Sequence, residues 1–181
     1  MAKVITGKIR LSYLHAFEPY ASEEGKDKKY STAILIPKTD KKTVDAIKKA
    51  VEDAKEEGKG KCWGGKIPPA AKLKLPLRDG DEEYPDDDNY SGMYFVNCSS
   101  KDKPGIIDQG KKPITEPKEL KSGDYARVAI NFYPFNKAGN NGVGVGLNNI
   151  QKWATGPALG GGGSSAEDDF EELVDEEDDA I

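Results

Sequence analysis

The chain has 181 residues, 36% of them hydrophobic and 33% charged, with a formal net charge of −5. That length holds one core, and the composition is wet but compatible with a folded β-rich domain. One histidine and two well-separated cysteines, Cys62 and Cys98, argue against a disulfide framework or a structural zinc site and for free thiols. The first residues lack an apolar signal core and no run approaches transmembrane length, so a soluble intracellular protein with no membrane partner is expected.

Residues 3–17 alternate in part, with Ile9, Leu11 and Tyr13 on one face and Lys8, Arg10 and Ser12 on the other. This predicts a half-buried strand with a cationic outer face. Residues 18–29 are polar and turn-like, and residues 30–36 read as a second strand stopped by Pro37. Thr39 or Asp40 can cap a helix running to about residue 57, where Val44, Ile47, Val51 and Ala54 recur at helical spacing and Gly58 and Gly60 supply a stop.

Residues 58–90 are the least regular, with Trp63, paired glycines, Pro68-Pro69 and seven acids between Asp79 and Asp88. They read as a long excursion with a short strand at residues 72–77, and a loop of that length is usually functional or mobile. A strand at residues 93–99 places Tyr94, Val96 and Cys98 on one face and Phe95, Asn97 and Ser99 on the other. Residues 105–108 are short and extended. The clearest strand covers residues 125–135, with Val128, Ile130 and Phe132 inward and Arg127, Asn131, Tyr133 and Phe135 outward. A turn over residues 136–142, containing Lys137, leads into Val143, Val145 and Leu147 alternating with glycines, which completes a hairpin.

Five or so strands with one helix after the second predict a mainly β fold, a five-stranded OB-fold-like barrel with a long irregular insertion. The domain is expected at residues 1–158, followed over residues 159–181 by a flexible Gly/Ser linker and an acidic tail. Residues 166–181 carry ten acids, no base and few apolar groups, so they are expected to be disordered. Setting those ten acids aside leaves 22 against 27 Lys and Arg, so the body carries +5. A basic body tied to an acidic tail points to a polyanionic partner, nucleic acid first.

Catalysis has little support. His15 is the sole histidine, no Ser or Cys lies in a nucleophile motif, and the carboxylate runs lack positioning partners. The Gly142-Val-Gly-Val-Gly146 stretch lacks the Lys-Ser/Thr of a phosphate loop, so its glycines fit the close approach of a backbone or ligand better. Neither a cofactor nor a metal is expected.

Binding a single strand without sequence preference needs cations for phosphates and aromatic faces for bases. The outward strand faces offer Lys8, Arg10, Phe95, Arg127, Tyr133, Phe135 and Lys137. Phe95 or Phe135 could instead pack under the 58–90 excursion. Trp63 and Trp153 could each be a stacking platform or a lid on the core, and core is the plainer reading.

Five stretches, Tyr94-Phe-Val-Asn-Cys-Ser-Ser-Lys101, Pro104-Gly-Ile-Ile-Asp108, Asn131-Phe-Tyr-Pro-Phe-Asn136, Gly142-Val-Gly-Val-Gly-Leu-Asn-Asn-Ile-Gln-Lys152 and Gly156-Pro-Ala-Leu-Gly-Gly161, are followed by Ala166-Glu-Asp-Asp-Phe170. Together they resemble a family of bacteriophage single-stranded DNA-binding proteins once listed as a domain of unknown function. The resemblance implies an OB-fold with an acidic C-terminal tail, a role in phage DNA replication or recombination, and residence in the bacterial host cytoplasm. More distantly, the organisation looks like bacterial single-strand binders whose acidic tails recruit replication or recombination proteins. In the tail, Asp168, Asp169, Phe170, Glu176, Asp178, Asp179 and Ile181 are the candidate residues for competing with DNA and for binding partners. Many such tails end in Phe, whereas this one ends in Ile181. Self-association is left open. Two rivals stand beside this reading: a protein-interaction module with a solubilising tail, and a metal-dependent nuclease using the carboxylates of residues 79–88, Asp86 and Asp88 among them.

Overall fold

The computed structural model describes residues 2–21, 25 and 27–159, so the tail candidates Asp168, Asp169, Phe170, Glu176, Asp178, Asp179 and Ile181 lie outside the described residues. Nine strands are found among those residues: β1 (Ala2–Ile5), β2 (Ile9–Tyr20), β3 (Lys29–Pro37), β4 (Leu73–Lys74), β5 (Arg78–Asp79), β6 (Met93–Ser100), β7 (Gly105–Ile107), β8 (Tyr125–Lys137) and β9 (Asn140–Ala154). One main helix, α1 (Lys41–Lys61), follows β3, and a single-turn helix, α2 (Gly80–Glu83), follows β5. No helix among the described residues is long and apolar enough to cross a membrane.

The strand pairings run in a circuit, β2 to β3 to β6 to β9 to β8 and back to β2. This is the five-strand OB-like arrangement with one helix after its second strand. The barrel is irregular, because β6 and β9 meet through the single parallel pair Ser99 and Gly146. β1, β4, β5 and β7 are added at its margins.

The inner face follows the period-two alternation of the strands. Ile34, Ile36, Val96, Cys98, Val128, Ile130, Phe132, Val145 and Leu147 are all buried in one cluster. Helix α1 covers the end of that core with Val44, Ile47, Val51 and Ala54. Its N-terminus is fixed by Asp40, whose Oδ1 accepts from Thr43 N at 3.2 Å, while Thr43 Oγ1 accepts from Gly7 N at 2.9 Å. The helix runs beyond the expected stop at Gly58. A Cβ there would come within 2.6 Å of Pro134 and 2.7 Å of Trp63, so this glycine permits close packing and does not end the helix.

Two expectations for the first strand change. Residues 3–17 form two strands, since β1 and β2 are separated by Thr6–Lys8, and Thr6 Oγ1 accepts from Val128 N at 3.1 Å. Tyr13, expected inward with Ile9 and Leu11, sits at φ 49° where the β2–β3 register shifts. That bulge reverses the parity of the strand and turns Tyr13 outward, 41% exposed.

Phe95 is also corrected. It does lie on the outer side of β6, but it is only 2% exposed. A second apolar cluster, Leu35, Tyr90, Phe95 and Leu159, covers that part of the outer surface. Tyr90 meets Phe95 edge-on at 5.3 Å, and the Arg78 guanidinium lies 5.2 Å from its ring. The alternative placement, packing under the 58–90 excursion, is the one observed. Leu159, expected in the linker, is buried in this cluster.

Candidate nucleic-acid interface

Beside the covered patch, the outer surface opens into a cleft of about 930 Å³. It lies between the β2–β3 connection and the tip of the β8–β9 hairpin, and Tyr13, His15, Tyr20, Lys29, Ser31 and Lys137 are among its lining residues. Its lining residues His15, Ser31 and Ser99 belong to one row of strand register, which continues beyond the cleft to Gly146 and Asn131. His15 pairs with Ser31, Ser31 with Ser99, Ser99 with Gly146, and Gly146 with Asn131. These residues form one row across five strands, about 19 Å long at ordinary strand spacing.

Aromatic groups line one bank. The His15 and Tyr20 rings stack in parallel, 4.2 Å apart at 6°, and Tyr20 is 45% exposed. Partial burial pulls the His15 pKa below its ordinary value, so the ring is neutral at pH 7. Among the described residues lining it, Lys29 and Lys137 bring positive charge against one acid, Asp27. Lys137 is placed by a tight turn, with φ of 51° at Ala138 and 86° at Gly139, the signature of a two-residue hairpin loop.

The alternating glycines of β9 have a defined use. The outward side chains of β8 lie across them: Asn131 over Gly146, Tyr133 over Gly144 and Phe135 over Gly142. A Cβ at Gly146, Gly144 or Gly142 would sit within 2.5 Å, 2.5 Å or 2.9 Å of these side chains. Of the two approaches expected from the glycine pattern, that of a backbone is met inside the fold, since Lys74 O of β4 comes against Gly142. Phe135 is half-buried there, its carbonyl accepting from Trp63 Nε1 at 3.3 Å.

The seven expected DNA-binding residues do not form one groove. Lys137 lines the cleft, Tyr133 stands in the row next to Asn131, and Phe135 lies further out. Arg127 is ten residues from Lys137 on the same strand, about 33 Å at full extension. At that far end, Lys8 lies 4.8 Å from the Tyr125 ring. Arg10 is committed to structure, donating from Nε to Gly123 O at 3.0 Å and from Nη2 to Pro157 O at 2.7 Å. Tyr13, His15, Tyr20 and Lys29 were missed because a bulge hides the parity of the first two and a turn-like reading covered the last two.

The acids of the excursion are partly used internally. Lys38 bridges Asp79 at 2.7 Å and Asp81 at 2.8 Å, which holds both carboxyls below their usual range. Arg78 pairs with Glu83. Among the described residues no three His, Cys, Asp or Glu side chains converge as a metal-binding group. Burial pushes the Cys98 thiol up to about 12, so it stays protonated.

An irregular five-strand barrel, with an aromatic and cationic cleft running across its strands, defines an OB-like binding protein. The chain matches, over residues 2–181, the family described as the ssDNA-binding protein of Enterobacter phage Enc34, and it belongs to that family. It is 28% identical over 190 residues to protein p50 of Acyrthosiphon pisum secondary endosymbiont phage 1, spanning 99% of this chain and 98% of that one. Its fold is that of the single-stranded DNA-binding protein from bacteriophage Enc34, solved in complex with ssDNA: TM-score 0.74, 24% identity, 88% of this chain and 90% of the other. The single-stranded DNA-binding protein gp2.5 of bacteriophage T7 is similar at TM-score 0.59 and 16% identity, over 96% of this chain and 99% of its own.

Proposed function

We propose that this chain is a non-enzymatic single-stranded DNA-binding protein serving phage DNA replication or recombination in the bacterial host cytoplasm. The observation that carries the reading is the cleft. Tyr13 and the His15–Tyr20 stack line it together with the small Ser31 and Ser99 and the cations Lys29 and Lys137. Stacking on such faces contributes about 1–3 kcal/mol per base without regard to sequence, while the lysines neutralise phosphates. Membership of the phage family, and the ssDNA complex of the relative from Enc34, support the same reading.

Residues 1–158 make up the binding domain in this proposal, and residues 166–181 are its competitor. Ten acids without a base form a polyanion able to occupy a cationic cleft. Bound DNA then releases Asp168, Asp169, Phe170, Glu176, Asp178, Asp179 and Ile181 to recruit replication or recombination proteins.

The test is a fluorescence titration of the full chain with oligo-dT. Tyr20→Ala and Lys137→Glu are each expected to weaken binding about tenfold, one lost stack or one reversed phosphate contact. Wild-type affinity in both variants would remove the cleft as the site. Absence of any oligo-dT binding would favour a protein-interaction module instead.

A further inference from the structure

The far end of β8 carries a second aromatic and cationic surface that the cleft does not include. Trp153, on the last strand, is 42% exposed. It borders a hollow of about 270 Å³ with Gln109, Arg127, Gln151 and Lys152. The surface is held in place by its own hydrogen bonds. Arg127 Nε donates to Gln151 Oε1 at 2.7 Å, Gln151 Nε2 donates to Asp108 O at 3.2 Å, and Gln109 Nε2 donates to the Trp153 carbonyl.

The charges here differ in kind. Lys152 is tied inward, donating to Glu119 O at 2.6 Å and lying 3.6 Å from the Asp124 carboxylate. Among the described residues neither Lys8 nor Arg127 is paired with a carboxylate. Lys8 is held instead by two rings, 4.8 Å from Tyr125 and 5.9 Å from Trp153. Aromatic neighbours orient Lys8 without cancelling its charge, and Arg127 is held by the neutral Gln151, so both groups remain available to an anion.

We propose that Trp153, Arg127 and Lys8 form a second station for the same single strand, Trp153 stacking a base while Lys8 and Arg127 take the adjoining phosphates. The inference rests on the DNA-binding reading above and adds where a longer strand goes after leaving the cleft. An exposed indole with uncompensated cations and two amide side chains matches what a nucleotide presents: a flat face, an anionic link and polar edges. Along β8 the station's Arg127 lies ten residues, about 33 Å at full extension, from the cleft's Lys137, so a short oligonucleotide seated at Lys137 does not reach it.

The experiment compares oligo-dT of about 4 and about 16 nucleotides, the ends of the range covered by single OB folds, on the full chain. Trp153→Ala should weaken the long oligonucleotide about tenfold and leave the short one within about twofold. Trp153→Phe should restore most of the loss, and Lys8→Ala should reduce the salt slope for the long oligonucleotide by about one. Unchanged affinity of Trp153→Ala for the long oligonucleotide overturns the station, as does a loss that phenylalanine fails to restore. Trp153 fluorescence that responds to a synthetic peptide of residues 166–181 but not to oligo-dT would assign the surface to the tail and overturn it too. Tyr20→Ala and Lys137→Glu serve as the separate arm. If they bind like wild type while Trp153→Ala is impaired, the cleft reading fails and the station stands.

Discussion

The Tyr133 ring lies flat against the backbone of Gly144, so close that a Cβ on that glycine would sit 2.5 Å from the ring. The obstacle is the far end of a side chain that can swing away. Gly144→Ala should therefore fold with a stability change within about 1 kcal/mol, and displace Tyr133. A few-fold loss of oligo-dT affinity at nearly unchanged thermal stability is the expected result. Gly142→Ala makes the contrast, because its Cβ would meet Lys74 O at 2.4 Å, a backbone atom that cannot step aside. Thermal denaturation should show that variant about 1–3 kcal/mol less stable.

Phe95→Ala should act on stability and not on DNA. The ring is packed among Leu35, Tyr90 and Leu159, and truncating a buried phenylalanine costs about 3–5 kcal/mol. Urea denaturation should show the loss. Titration of the folded protein should show wild-type affinity for oligo-dT, whereas a base-stacking Phe95 would give the reverse pattern.

The Asp124 carboxylate, 1% exposed, ties the start of β8 to the C-terminal segment. Its Oδ1 accepts from Lys121 Nζ at 2.7 Å and from Gly156 N at 3.1 Å, and its Oδ2 from Lys121 N at 3.0 Å. Burial pushes its pKa up, but these hydrogen bonds outweigh burial and hold it below the usual carboxylate range. A folded carboxyl with a depressed pKa stabilises fully above the unfolded value of about 3.9 and loses that contribution as the pH falls through its lower folded value. Asp124→Asn should cost about 2 kcal/mol at pH 7. The gap to wild type should narrow below about pH 3.9, read by denaturant melts across pH.

Deleting residues 166–181 removes ten acids. A salt-titrated fluorescence assay should then show tighter single-strand binding with a steeper salt dependence. Equal or weaker binding by the deletion would exclude competition between tail and DNA.

Much of the fold was legible because period and burial agree. Val128, Ile130 and Phe132 show the strand parity of β8, and Val44, Ile47, Val51 and Ala54 show the inward stripe of α1. What escaped depends on partners distant in sequence. The alternation of β6 assigns Phe95 to a face, but it cannot tell that Tyr90 and Leu159 cover that face. A bulge at a non-glycine residue leaves no mark in composition, so Tyr13 was read inward and His15 had no visible neighbour. Gly58 looked like a helix stop because glycine serves both for caps and for close packing, and only Pro134 and Trp63 show which. For the site, the expected turn over residues 136–142 shrinks to Ala138–Gly139 and leaves Lys137 as the last residue of β8, while three cations at the other end of β8 were grouped with it by face alone.

The single Ser99–Gly146 pair joining β6 to β9 lies at the edge of the cleft, which Ser99 lines. The barrel is thus least stitched beside its proposed ligand. A chain lying across that pair fastens the two sides of the seam from outside, so binding and barrel stiffness become one quantity. Amide hydrogen exchange at residues 97–100 and 144–147 should slow on adding DNA more than exchange in β2 and β3, where backbone pairing is already extensive.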